Sequence, residues 1–204
     1  MFVQVIEGQL TDVAQAHAAM DRWMAELAPE ASGWLGTTAG VTADGRFIAL
    51  ARFESAEAAR HNSESPAQDK WWHEFSSLLS GGTTFRDTED VTLDLVGDPD
   101  AAGFVQIIRG RATDPDRVRA LMAQHPERWE SFRPDLLGSV FVLSDDGGFT
   151  STFYFTSEAE AREGERKEAP EDLKAEVDEL NTLDAVPPEY FDLSTPWLYS
   201  PAST

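Results

Sequence analysis

Hydrophobic positions follow two periods along this chain, and the periods alternate in a fixed order. The apolar run Phe2-Val3-Gln4-Val5-Ile6 ends near Gly8 and predicts a short strand. Asp12 then reads as a helix N-cap, with Gln15 three residues later completing a capping box. Val13, Ala16, Met20, Trp23, Met24 and Leu27 follow at helical spacing as one apolar stripe, which 29–33 bring to an end. Residues 34–41 and 46–53 read as two strands joined around Asp44-Gly45, a hairpin signal. A second helix starts at Ser55 and breaks at Ser63-Glu64-Ser65. It restarts with Ser65 as N-cap, Pro66 at the first helical position and Gln68 closing another box. Gly81-Gly82 is expected to stop that helix, and 83–95 to form a last strand. The predicted order is β-α-β-β-α-β.

The order then repeats. Phe2-Val3-Gln4-Val5-Ile6-Glu7-Gly8 returns as Phe104-Val105-Gln106-Ile107-Ile108-Arg109-Gly110, and 53–60 return as 155–162, both at an offset of 102 residues (104 − 2, 155 − 53). Two distant segments sharing one offset indicate a duplicated domain, and the period is too long for a solenoid. Asp114-Pro115 opens the first helix of the second copy, whose stripe is Val118, Leu121, Met122, Trp129 and Phe132. Pro126 is expected to kink or break that helix near His125. Asp146-Gly147 marks the second hairpin, and 190–193 the last strand. The expected domains are 1–97 and 101–204, joined by the breakers Gly97-Asp98-Pro99-Asp100. The tail 196–201 has no counterpart in the first copy, and its Trp197 and Tyr199 are expected to pack back on the body.

Each copy is expected to make an α+β, ferredoxin-like unit, a four-stranded antiparallel sheet with both helices on one face. Phe47-Ile48-Ala49-Leu50-Ala51 is apolar at every position, so the face away from the helices cannot be polar. Two such sheets would bury each other. Fusion in one chain supplies an effective concentration on the order of millimolar, so the expectation is an intrachain pseudo-dimer, acting as a monomer or assembling further as a homodimer.

Composition narrows the function classes. A formal net charge of −21, from 37 acidic and 16 basic residues, disfavours nucleic acid and anionic lipid as partners. No cysteine is present, which excludes disulfides and thiolate chemistry. The four histidines are His17, His61, His73 and His125, and no two are spaced i, i+4, so no zinc site on one helix face is expected. No apolar run approaches the ~20 residues of a membrane span. Met1 leads directly into a strand, and the expected location is the cytoplasm. Phosphate-binding glycine loops and nucleophile elbows are absent.

The chemistry-bearing residues are concentrated in the first copy. His61-Asn62 sits at the helix break and Trp71-Trp72-His73 follows, where the second copy reads Glu163-Gly164 and then Lys174-Ala175-Glu176. A pocket is therefore expected in the first copy, the second serving as its built-in partner. Adjacent Trp71 and Trp72 point about 100° apart on a helix, so at most one should face a pocket. Asn62 also suits a helix end through local hydrogen bonds, and His73 a solvated flank. Gln4 and Gln106 each place an amide inside an apolar first strand, where burial without a partner costs roughly 1–3 kcal/mol. Their recurrence reads first as part of the fold and second as ligand contact. Arg52, replaced by Tyr154 in the second copy, either pairs with an acid or points into a pocket.

The segment from Phe53 through His61-Asn62, followed by Ser65-Pro66 and Trp71-Trp72, resembles the antibiotic biosynthesis monooxygenase-like family of the dimeric α/β-barrel superfamily. Over nearly its full length the chain is similar to tandem-duplicated members from actinobacteria. That superfamily holds cofactor-independent oxygenases, haem-degrading enzymes, isomerases and members with no known reaction, so the motifs speak to fold more than to activity. In members that oxidise aromatic polyketides, the pocket lies between sheet and helices and uses an Asn and a Trp as hydrogen-bond donors. Asn62 and either Trp71 or Trp72 match those positions. The resemblance implies a cofactor-independent monooxygenase acting on an aromatic or polyketide-like molecule, with no bound cofactor or metal. His61 or His73 is then the candidate base, and Trp71, Trp72, Arg52 and Gln4 the candidate substrate contacts. The alternative is a non-catalytic barrel that shelters a hydrophobic ligand or serves a structural role. Haem binding is a third reading, for which His125 is the available helix histidine, with Pro126 beside it disturbing the helix.

Overall fold

In the computed structural model, residues 1–122, 124 and 126–201 are described, the side chains of Pro126 and Glu127 apart. The first copy forms β1 (Phe2–Leu10), α1 (Val13–Glu26), β2 (Trp34–Val41), β3 (Arg46–Phe53), α2 (Ala56–Ser63), α3 (Pro66–Ser76) and β4 (Leu79–Thr88). The caps are those the local sequence calls for. Asp12 accepts from the Gln15 N–H at 2.9 Å, and Ser55 from the Ala58 N–H at 3.1 Å. Gly45, at φ +85°, closes the turn between β2 and β3.

Three local expectations are corrected. Ser65 precedes α3 without a side-chain cap bond, and Gln68 accepts a hydrogen bond from Trp23 instead of closing a box. Gly81 and Gly82 do not stop α3. They lie inside β4 at φ +75° and +91°, where the pairing with β1 slips by two residues between Glu7 and Gln9. Glycine tolerates positive φ at no steric cost, so the pair absorbs a β-bulge rather than capping a helix. The run 83–95 is not one strand either: β4 ends at Thr88 and β5 spans Asp90–Leu95.

The second copy forms β6 (Phe104–Arg111), α4 (Pro115–Met122), α5 (Pro126–Phe132), β7 (Leu136–Leu143), β8 (Gly148–Phe155), α6 (Glu158–Glu165), α7 (Glu171–Thr182) and β9 (Glu189–Leu193), and β10 (Trp197–Tyr199) ends the chain's regular structure. Pro126 begins α5, so the long first helix becomes two; His125 itself, and with it the haem reading, lies outside the described residues.

Two five-stranded sheets result, ordered β10-β2-β3-β1-β4 and β5-β7-β8-β6-β9. Within each, four strands from one copy take the ferredoxin-like order, with the pairs among them antiparallel. The fifth strand lies beside β2 or β7 and comes from the far side of the repeat boundary. The compact units are accordingly Met1–Asp90 joined by the tail from Thr195, and Val91–Ser194. The tail docks as expected: Trp197 pairs opposite Ala39 and is 5% exposed.

In the first unit Phe2, Phe47, Ala49 and Phe53 point to the helix side and pack with Ala16, Ala19, Met20, Trp23 and Phe75. Val3, Val5, Ile48 and Leu50 alternate to the opposite face and are at most 1% exposed. In the second unit Val105, Ile107 and Val140 are equally dry. At ~25 cal/mol per Å² of apolar surface removed from water, both faces of each sheet contribute to the core.

Candidate functional site

A cavity of about 270 Å³ opens between the sheet and the helices of the first unit. Pleating decides its floor: Gln4 and Ile6 of β1, Thr37 of β2, Phe47, Ala49, Ala51 and Phe53 of β3 and Phe85 of β4 share the helix-facing side. Met20 and Trp23 of α1, Asn62 and Ser63 at the end of α2, and Gln68, Asp69, Trp71, Trp72 and Phe75 of α3 supply the roof, and Trp34 an end wall. Gln68, Trp71, Trp72 and Phe75 stand at i, i+3, i+4 and i+7, one face of α3. The volume lies just below the ~300–1,000 Å³ of ordinary small-molecule sites.

Rings dominate the walls. Phe75 stacks on Trp71 and on Trp72, with centroids 5.0 and 5.8 Å apart. Trp72 meets Phe85 edge-on at 5.3 Å, and Trp23 meets Trp34 at 5.0 Å. Both α3 indoles line the cavity, correcting the expectation that only one would. Each indole is long enough to reach the space from its own side of the helix, although their Cβ atoms diverge.

Hydrogen bonding separates the four indoles. Trp23 Nε1 donates to Gln68 Oε1 at 2.6 Å, Trp34 Nε1 to Thr37 Oγ1 at 3.0 Å, and Trp71 Nε1 to the Ala19 carbonyl at 2.8 Å. Trp72 Nε1 has no such acceptor among the described residues. The Asn62 side chain likewise bonds to no described protein group. An indole nitrogen can only donate, so the Trp23 bond orients Gln68 with its NH₂ left for another partner. Gln4 is fixed in the opposite sense: its Nε2 donates to Asp87 at 3.0 Å, leaving Oε1 as an acceptor in the cavity. Gln106 repeats this bond to Asp192 at 2.9 Å.

The candidate residues therefore divide. Asn62, Trp71, Trp72 and Gln4 come together around the cavity. His61 and His73 do not: both are exposed and outside its lining, because they fall on the solvent sides of α2 and α3. Arg52 is also elsewhere. It alternates with Val3, Ile48 and Leu50 on the sheet face away from the helices, beside Gly36, and its Nε is buried without a hydrogen-bond partner. Sequence reasoning missed Gln68 and Asp69, and Asp69 is a cavity carboxylate. The signal for Gln68 was available, as a polar residue within the apolar stripe of α3.

A second cavity, about 240 Å³, occupies the same place in the second unit, whereas the sequence points to a pocket in the first copy. Gln106, Ser139 and Phe155 line it as Gln4, Thr37 and Phe53 line the first. No cluster of side chains suited to a metal ion occurs among the described residues, and none of their helices is long and apolar enough to cross a membrane.

No family model matches the chain, and no curated protein does. Solved structures do. A candidate monooxygenase from Lactobacillus acidophilus is similar over 98% of this chain and 95% of its own, with a TM-score of 0.77 at 10% identity. A candidate monooxygenase from Fusobacterium nucleatum gives 0.77 at 8% identity, over 98% and 94%. An anthrone oxidase-like protein gives 0.64 at 15% identity, over 97% and 93%. At these identities the likeness establishes a shared fold along nearly the whole chain.

Proposed function

We propose that the first cavity is the active site of a cofactor-independent monooxygenase acting on an aromatic, polyketide-like small molecule. The observation that carries this reading is a ring-walled cavity in which two neutral donors, the Asn62 amide and the Trp72 N–H, are not consumed by any described residue. The named relatives of the same fold, among them an anthrone oxidase-like protein, add weight to it.

The chemistry asks for little beyond such a site. A methylene flanked by rings and a carbonyl loses a proton, leaving an electron-rich carbon and an oxyanion. That carbon adds dioxygen, and loss of water leaves a new carbonyl, so CH₂ and O₂ become C=O and H₂O. Asn62 and Trp72 would donate to the oxyanion, and donors placed in a dry site are worth far more than in water. Gln68, oriented by Trp23, would supply a further N–H. With His61 and His73 outside the cavity, Asp69, an exposed residue at its edge, would be the carboxylate that takes the proton.

Oxygen uptake with a panel of anthrones and hydroquinones tests this. Turnover that falls about 100-fold in Asn62→Ala and in Trp72→Phe is expected. Trp71→Phe, whose N–H is spent on Ala19, should leave chemistry largely intact. A second reading, a binding protein without catalysis, is favoured by the absence of imidazole from the described lining. Ligands that quench tryptophan fluorescence without any oxygen uptake across the panel would establish that reading and overturn the first.

A further inference from the structure

The cavity of the second unit repeats part of the first lining at the repeat offset, with Gln106 for Gln4, Ser139 for Thr37 and Phe155 for Phe53 (106 − 4, 139 − 37, 155 − 53). Two changes alter its chemistry. Gly164 stands where the first copy has Asn62 (164 − 62), and a Cβ there would lie 2.3 Å from Arg133 Nε. The guanidinium fills the room that the missing side chain leaves. That cation is already committed: Nε and Nη2 grip Asp135 at 3.0 and 2.7 Å, Nη2 also donates to the Ala161 carbonyl at 3.3 Å, and the group lies 5.0 Å above the Phe155 ring. With Arg133 and Asp135 side chains 12% and 7% exposed, this is a neutralised, largely buried pair.

The second difference is in the indole acceptor, which each unit supplies from repeat positions of its own (68 + 102 falls on Pro170, not on Glu176). Trp23 donates to the neutral Gln68, whereas Trp129 Nε1 donates to the Glu176 carboxylate, at Oε1 and 3.1 Å. Asp94 adds another carboxylate to the wall. Apolar surface from Phe153, Phe155 and Leu180 is thus joined to negative charge that Arg133 does not cancel.

We propose that this cavity is a second ligand site, selective for a small amphiphilic cation: a protonated amine carried on a body of one or two rings, with Glu176 as its charge partner. Trp129 occupies Glu176 Oε1 and leaves Oε2 to accept from the ammonium, a charge-assisted bond strengthened by the low polarity of the walls. A carboxylate ligand meets like charge at Glu176 and Asp94. A neutral ligand gains from the walls alone. The site goes beyond the activity proposed for the first cavity and does not depend on it.

Calorimetric titration of the intact chain at neutral pH with 1-naphthylmethylammonium, 1-naphthylmethanol and 1-naphthoate provides the test. The ammonium is expected to bind about tenfold more tightly than the alcohol, the gain typical of a hydrogen bond to a charged group, and the naphthoate more weakly than either. Glu176→Gln keeps an acceptor for Trp129, as a neutral amide of the kind Trp23 meets in Gln68. It should erase the preference for the ammonium and leave alcohol binding unchanged, which also shows that the variant is folded. Equal binding of ammonium and alcohol, or a preference that survives Glu176→Gln, overturns the proposal. Tighter binding of naphthoate also overturns it, since Arg133 would then be the recognising group.

Discussion

At the scale of single residues, the indole N–H groups sort Trp71 from Trp72 where sequence spacing could not. Three of the four tryptophans around the first cavity hold the protein together, and Trp72 keeps its donor for something else. The Trp23–Gln68 bond is the structural one most open to test. Gln68→Leu strands the N–H of the buried Trp23 indole, and a loss of about 1–3 kcal/mol is expected in urea unfolding. Gln68→Glu, which keeps an acceptor, should lose much less; equal losses would show that the bond contributes nothing specific. His61 and His73 were candidates because imidazole titrates near neutral pH. Residue type says what a group can do, but helix phase decides where it points, and both fall on the solvent side.

Elements show a different balance. The Asp12 and Ser55 caps and the Gly45 turn were legible because each is settled within four residues. The bulge at Gly81-Gly82 was not, since it arises from pairing with β1, 71 residues away at Gln9–Ser80 (80 − 9). Strand β10 offers a pH test. The Tyr199 hydroxyl donates to Asp21 at 3.0 Å, and burial together with the neighbouring carboxylate holds its pKa well above the ordinary 10.0. A raised pKa stabilises the fold fully below about pH 10. Above that, the unfolded chain ionises while the folded one stays protonated, so the contribution is lost as pH rises. The Tm advantage of the natural chain over Tyr199→Phe should therefore be steady from pH 7 to 9 and shrink beyond pH 10. An advantage that held or grew at alkaline pH would contradict the assignment.

For the whole molecule, the decisive fact is that the chain's halves and its compact units do not coincide. Residues 90–95 pass into the second sheet, and the tail returns to the first as β10. Truncation after Ser194 removes Trp197 from its place against Phe47 and Ala39. A loss of about 3–5 kcal/mol is expected, the usual range for deleting a buried aromatic, with Trp197→Ala accounting for most of it. Unchanged thermal stability in the truncated chain would show the tail to be dispensable. The sequence by itself determined the duplication, the β-α-β-β-α-β order, the caps and hairpins, and the aromatic concentration in the first copy, because hydrophobic period and turn chemistry act over a few residues. Only the tertiary structure decided which sheet takes 90–95, which tryptophan keeps a free donor, and that Arg52 lies on the far face. It also revealed the second cavity with its Arg133 and Glu176. Those outcomes depend on register and close packing between segments tens of residues apart, and periodicity carries no record of which distant side chain fills the space beside a glycine.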